Sequence, residues 1–439
     1  QPLFSQYAVS PAEKFCTPLP PVNRAAAAKT SATATASATR PERRRACCPV
    51  GPSATTVRST KGVFCMGLRI AIAGIRGLPS TYSGYETFIA ELAPRLVQRG
   101  HEVTVYCRKG LFAERPAVFQ GMKMVYLPSL EHKAFSTLSH SLLAVTHASF
   151  AKHDLVFVVN AANGMFGFIP RLLGRPCVLN VDGMEWLRPK WNKLAKWIFH
   201  TSAKLGTKFY HEIVTDADEM HRLYAKEFGI DSEYIAYGAN IEASTEPEVL
   251  AQYGLQPRSY FLIASRLVPD NNADLIVEAF VKSGSSRILA IAGGADYKGN
   301  TVEKAFIDKL KALGGDRVKF LGHVNSSAHV RELHCNCYAY VHGHQFGGIN
   351  PSLLKALGFG NAILALNTPF NAEVLDNGKY GVLYEKNVPD LAAKIRALDQ
   401  DEARAGDFRR RAPDRIRERF TWDQITDEYE RLFQRIAAR

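Results

Sequence analysis

Residues 68–108 read LRIAIAGIRGLPSTYSGYETFIAELAPRLVQRGHEVTVYCR. LRIAIAG is a nearly unbroken apolar run closed by glycine, the pattern of a parallel strand buried on both faces. TFIAELAPRLVQRG (87–100) then spaces its apolar residues by three and four and stops at Gly100, which predicts an amphipathic helix with a glycine terminus. HEVTVYCR (101–108) is a second buried strand. Strand, helix and strand make a β-α-β unit, so a parallel sheet starts here.

The same alternation runs on through DLVFVVN (154–160), PCVLNVDG (176–183) and EIVTDA (212–217). It breaks at the polar, proline-punctuated stretch 243–259, then restarts from YFLIASRL (260–267) to AILAL (362–366). Two doubly wound α/β domains in series follow, expected at 66–245 and 246–415. In the last segment, 416–439, Trp422, Ile425, Tyr429, Leu432, Phe433 and Ile436 fall at helical spacing. Such a helix needs an apolar surface to cover, and could bridge the two domains.

The chain has 439 residues, 46% hydrophobic and 22% charged, enough for two full cores. Its net charge of +13 is unevenly spread: residues 1–65 hold nine Lys/Arg against two Glu, and the rest holds 46 basic against 40 acidic side chains. A body so mildly basic favours anionic small ligands or an anionic membrane surface, and does not call for nucleic acid. Residues 1–65, rich in Ala, Ser, Thr and Arg, are expected to be a disordered, transit-peptide-like extension or upstream sequence foreign to the mature protein. Of eight cysteines, Cys107, Cys177, Cys335 and Cys337 sit in strand-like contexts without zinc spacing, as buried free thiols would. No apolar run approaches the ~20 residues of a spanning helix.

HGHQFGGINPSLLKALG (342–358) holds the chemistry. A strand runs into Gly347-Gly348; Asn350 suits an N-cap and Pro351 the first helical position. The exposed helix start, with Ser352 in its first turn, is an anion site suited to a diphosphate; a plain tight turn is the alternative. Arg266 follows a buried strand, where it either points into the ligand crevice or lies at the surface. The loop 74–87 has glycines at 74, 77 and 84 but no G-x-G-x-x-G, which argues against a nicotinamide enzyme. Its Gly77 and Glu86 still suit a ligand-facing loop. Asp216 with Glu219 three residues on reads as a helix cap rather than a metal-binding Asp-x-Asp. His323, His342 and His344 read as strand-end histidines. RPKWNKLAKWIFHTSAKLGTKFYH (188–211) contains no acid and interleaves lysines with aromatics, as an anionic-membrane docking helix or a helix with an apolar core face would.

Together the two halves, the loop at 74–87, VDGMEWLRPKW (181–191), RLVPDNNADLIVEAF (266–280) and the glycine loop resemble the family-four glycosyltransferases of GT-B fold, more narrowly their bacterial rhamnosyltransferase-like branch of surface-polysaccharide and O-antigen synthesis. The resemblance implies two Rossmann-like domains facing across a cleft, with the closing helix at 416–439 packed back on the first. The second would bind a nucleotide sugar and the first a glycan or lipid-linked acceptor, with retention at the anomeric carbon. By position it puts Arg266 and the amides of Gly347, Gly348, Ile349 and Asn350 on the donor diphosphate and sugar. Ser83 and Gly84 fall on a turn closing over the phosphates, and Gly322, before His323, at the base. Asn271 stands where the family has a lysine, Gly347 and Lys355 where it has two glutamates, and Asp182 where a histidine is frequent. Lys355 is expected to supply the cation lost at Asn271, and Asp182 and Glu185 to orient the acceptor hydroxyl. The resemblance implies neither metal nor other cofactor, and a cytoplasmic or inner-membrane-surface location. Two alternatives share the architecture: a sugar-nucleotide 2-epimerase and a non-catalytic sugar-nucleotide binder.

Overall fold

The computed structural model describes residues 67–79, 84–131, 135–188, 191–294 and 301–439; the expectations for 1–65 and for Ser83 lie outside them. The first sheet is built from β1 (Arg69–Ala73), β2 (Glu102–Arg108), β3 (Val118–Phe119), β4 (Met122–Leu127), β5 (Leu155–Val159), β6 (Cys177–Val181), β7 (Glu212–Thr215) and β8 (Glu233–Tyr234). Their order is β3-β4-β2-β1-β5-β6-β7-β8, parallel except for β3. The second sheet holds β9 (Tyr260–Ala264), β10 (Ile288–Ala292), β11 (Val318–Gly322), β12 (Ala339–His342), β13 (Ile363–Leu366) and β14 (Val382–Tyr384). It is all parallel, in the order β11-β10-β9-β12-β13-β14.

Both orders reverse direction once, between β1 and β5 and between β9 and β12. At such a switch point the following loops part, leaving a crevice at the carboxyl ends of the strands. Arg266 follows β9 and the glycine loop follows β12, so the two elements meet at the switch point of the second sheet.

Why the strands hold is plain from burial. Ile70, Ala71, Ile72 and Ala73 are wholly enclosed, as both faces of a parallel sheet require. Helix α1 (Gly84–Gln98) covers one face through Phe88, Ile89, Leu92 and Leu96, whose spacing makes a single stripe. Cys107, Cys177, Cys335 and Cys337 are buried free thiols.

Thr421 and Gln424 form a reciprocal capping box that starts a helix over Trp422–Ala437. All six apolar residues named above for this segment are buried there. Tyr429 and Phe433 stack into the first half at 5.4 Å from Phe88 and 5.1 Å from Phe157, and Asn180 Nδ2 donates to the Tyr429 hydroxyl at 2.9 Å. At roughly 1.5–3 kcal/mol per fully buried large apolar side chain, this helix is a major part of the first core.

Candidate functional site

The glycine loop forms because the backbone has almost no room for side chains. A β-carbon at Gly343 would lie 2.3 Å from the Asn271 carbonyl oxygen, and Gly347 has φ +113°, open to glycine and few others. Asn350 then caps the helix Pro351–Gly358, its Oδ1 accepting from the Ser352 amide at 2.9 Å. Leu353, Leu354, Ala356 and Leu357 are buried and anchor that helix. Its first turn faces the start of α1: a β-carbon at Gly84 would lie 3.8 Å from Pro351 Cγ. Two helix N-termini from opposite halves thus meet across the crevice, and their partial positive charges add.

The loop is not an open cradle of amides. Gly348 N–H donates to the Asp182 carbonyl oxygen at 2.7 Å, and Gly183 presses on Gly347, where its β-carbon would be 3.3 Å from Gly347 Cα. The expectation that the amides from Gly347 to Ser352 stand exposed is corrected on these two counts, Gly348 and Ser352. The reason is that the Asp182 carbonyl of the first half takes the Gly348 amide, while the capping side chain of Asn350 takes that of Ser352.

The carboxyls of Asp182 and Asp216 belong to the residues of the first half that meet this loop. Tyr85 Oη donates to Asp182 Oδ1 at 2.6 Å and accepts from the Asp182 amide at 3.2 Å. Burial, opposed in part by that Tyr85 bond, pushes the Asp182 carboxyl up to about 6, with Glu185 adding repulsion. Asp216 is wholly buried, and neither of its oxygens makes a well-formed hydrogen bond among the described residues. It lies directly on the loop: a β-carbon at Gly348 would be 2.0 Å from Asp216 Oδ1. Burial first, then the Asp182 charge, raises its pKa well above the carboxylate range. Asp216 is therefore no helix cap. Ala217 holds the cap position of the helix Asp218–Phe228 without a side-chain bond, and Glu373 of the second half accepts the Asp218 amide through both oxygens at 3.1 Å.

The remaining expected residues separate into those the structure brings to the loop and those it gives other work. Arg266 stands exposed at the end of β9, and its carbonyl accepts from Asn271 Nδ2 at 2.8 Å. Asn271 is buried, so its amide fixes the Arg266 turn. Ile349 is buried beneath the loop. Gly322, at φ +72°, ends β11 with open space beside it. Lys355 is exposed; it bears on buried His334, whereas His344 at the foot of the loop feels Arg266 and Arg188. Gly77, at φ +133°, backs onto Cys107 and Phe112, where a β-carbon would fall 2.7 Å from each. Glu86 is buried and accepts the Arg76 amide at 2.8 Å. Both are spent on the geometry of the loop after β1. Glu185 accepts from the Trp191 indole at 2.8 Å and pairs with Arg188 Nε at 2.8 Å.

His342 and His344 stack with centroids 4.5 Å apart, and His342 Nε2 and His344 Nδ1 have no partner among the described residues. Burial pushes His344 down to about 3, so the pair is neutral. Among the described residues no group of three or more His, Cys, Asp or Glu is arranged to hold a metal ion. The residues missed from sequence are Asp216, Arg188 and Glu373. Asp216 was legible in one respect, since it follows β7 as Asp182 follows β6.

Comparison with known proteins agrees with this fold. The family described as glycosyl transferases group 1 matches residues 247–415, and a domain of unknown function, DUF1972, matches residues 68–240. A probable sucrose-phosphate synthase of Thermosipho melanesiensis is 24% identical over 181 residues, 40% of this chain and 41% of that protein. An uncharacterized glycosyltransferase of Methanocaldococcus jannaschii is 27% identical over 137 residues, 30% of this chain and 34% of its own. This chain therefore spans less than half the length of these relatives. Among solved structures, sucrose-phosphate synthase of Thermosynechococcus elongatus superposes with a TM-score of 0.73 at 17% identity, covering 84% of this chain and 99% of that one. Anabaena HepE in complex with UDP gives 0.68 at 16%, covering 84% and 100%. At such identities these structures establish the fold. Residues 247–415, which match the glycosyl transferases group 1 family, form the second half of a chain built as a two-domain GT-B fold.

Proposed function

We propose that the chain transfers a sugar, rhamnose or another hexose, from a nucleoside diphosphate to a glycan or lipid-linked acceptor in surface-polysaccharide synthesis, with retention at the anomeric carbon. The observation that carries this is the meeting of two helix N-termini at a crevice where Arg266 and the glycine loop follow adjacent strands at the switch point of the second sheet. Positive groups so placed stabilise the charge that grows on a departing diphosphate. In the proposed step the bond from anomeric carbon to diphosphate oxygen breaks while the acceptor oxygen bonds that carbon on the same face. The acceptor proton passes to the departing diphosphate. Asp182, titrating near 6, orients the acceptor hydroxyl. Closure of the halves excludes water and suppresses donor hydrolysis. Solved structures of HepE hold UDP, UDP with glucose, and UDP-glucose, which supports a uridine donor.

The test is a thermal-shift screen of UDP-, GDP- and dTDP-sugars on the full chain and on Arg266→Ala. One nucleotide should raise the wild-type Tm by several degrees, following about 2.7 kcal/mol at a hundredfold excess over Kd, and should lose that effect in the variant. No shift with any donor sinks the reading. The buried Asp216 and His342, with half-buried Asp182 and His344 beside them, favour one alternative, a 2-epimerase, since such chemistry needs carboxyls and imidazoles deep in the crevice. Interconversion of a sugar nucleotide incubated without acceptor would establish it.

A membrane-surface location joins this proposal. On the helix Lys193–Phe209, Leu194 and Trp197 are each 64% exposed beside Lys193, Lys204 and Lys208. That composition docks on anionic lipid, as at the cytoplasmic face of the plasma membrane. No helix among the described residues is long and apolar enough to cross a membrane.

A further inference from the structure

We propose that Arg188, carried by the first half of the chain, is the second cation of the donor-diphosphate site. The inference rests on the proposed sugar transfer and adds a residue to it. Position comes first: a β-carbon at Gly347 would lie 3.6 Å from Arg188 Nη2, so the guanidinium covers the one residue of the glycine loop with left-handed backbone.

Its orientation is fixed from behind. Glu185 Oε1 takes Arg188 Nε at 2.8 Å, while Glu185 Oε2 is itself held by the Trp191 indole at 2.8 Å. One edge of the guanidinium is thereby engaged. On the side away from that clamp, Nη2 faces the loop. A guanidinium with one edge clamped and Nη2 at the glycine loop is suited to hold phosphate oxygens, since its planar fork matches them in pairs.

A second arginine comes from the other half. His344, two residues beyond β12, has its charged form disfavoured by burial and then by both Arg266 and Arg188, so it senses the two guanidiniums at once. The imidazole is kept neutral and its Nδ1 is unpartnered among the described residues, so it adds no charge of its own to the two arginines. The cation tally supports the same assignment. Asn271 supplies no charge, its amide being spent on the Arg266 carbonyl, and Lys355 bears on His334 instead of His344. With Arg266 from the second half and Arg188 from the first, a diphosphate ties the halves together, and release of the nucleoside diphosphate requires them to part.

Calorimetry on the full chain tests this with UDP, GDP, dTDP, the matching monophosphates and inorganic pyrophosphate. For the nucleoside diphosphate that wild type binds best, Arg188→Ala should weaken binding roughly 10- to 100-fold, as loss of a charge-assisted bidentate contact implies. The matching monophosphate should lose much less. Arg188→Lys keeps stem and charge without the fork, and should fall between. It also serves if the alanine variant does not fold. Glu185→Gln should cost a smaller factor by loosening the clamp. If Arg188→Ala binds the diphosphate within twofold of wild type while Arg266→Ala is impaired, Arg188 is outside the site and only this inference falls. Equal losses for mono- and diphosphate also overturn it. Failure of wild type to bind any of the probes removes it together with the proposed function.

Discussion

Asp216 shows what a single residue can hide. Thr215-Asp216-Ala217-Asp218-Glu219 has the grammar of a helix start, yet the acceptor for that helix is Glu373, which the chain reaches only after building the second sheet. Local spacing cannot register a partner so remote, and Asp216 is released to sit on Gly348 instead. Its pH behaviour follows. A carboxyl whose folded pKa is raised binds its proton more tightly in the folded state. The stability it contributes is complete below about pH 4, the unfolded value, and is lost as pH rises through the folded one. For Asp182 that loss spans about pH 4 to 6; for Asp216 it reaches higher. The groups facing Asp216 are Asp182, Glu373, Tyr85, Tyr224, Tyr237 and Tyr429, none cationic. Asp216→Asn should therefore match wild type at pH 4 and melt about 2–6 °C higher at pH 8, corresponding to about 1–2 kcal/mol. A melting difference that is flat with pH would contradict the assignment.

At the scale of elements the sequence is far more legible. Strands buried on both faces announce themselves as apolar runs, and the stripe in α1 and in the helix Trp422–Ala437 is visible by spacing alone. Periodicity reports burial, and burial is what these elements share. It does not report which surface is covered, so the stacking of Tyr429 and Phe433 against Phe88 and Phe157 had to come from the fold. Phe433→Ala should cost about 3–5 kcal/mol, because it empties a fully buried aromatic position. Urea unfolding followed by tryptophan fluorescence reads this directly; a cost below about 1 kcal/mol would mean the helix is only loosely applied. On the helix Lys193–Phe209, Leu194→Ala with Trp197→Ala should reduce co-sedimentation with vesicles containing phosphatidylserine and leave neutral vesicles unaffected. Equal binding to both kinds would exclude charge-dependent docking.

For the whole molecule the decisive contacts are those between the halves. Gly348 N–H to Asp182, Glu373 to Tyr234 at 2.6 Å and Glu373 to Asp218 hold them shut at the crevice. Gly348→Ala places a methyl group on the Asp216 carboxyl, an overlap of the kind that costs about 1–3 kcal/mol. The halves should relieve it by opening, so small-angle scattering should give a larger radius of gyration for the variant. An unchanged radius together with an unchanged Tm would show that the contact is not under compression. Such closure depends on residues far apart in the chain, and neither composition nor spacing discloses it. One last consequence lies in synthesis. The aromatic surface of Phe88 and Phe157 is translated early, but the side chains that roof it belong to residues 422–437. While the ribosome is still making the second sheet, the first half waits with part of its interior uncovered, and a holdase chaperone would find its foothold there.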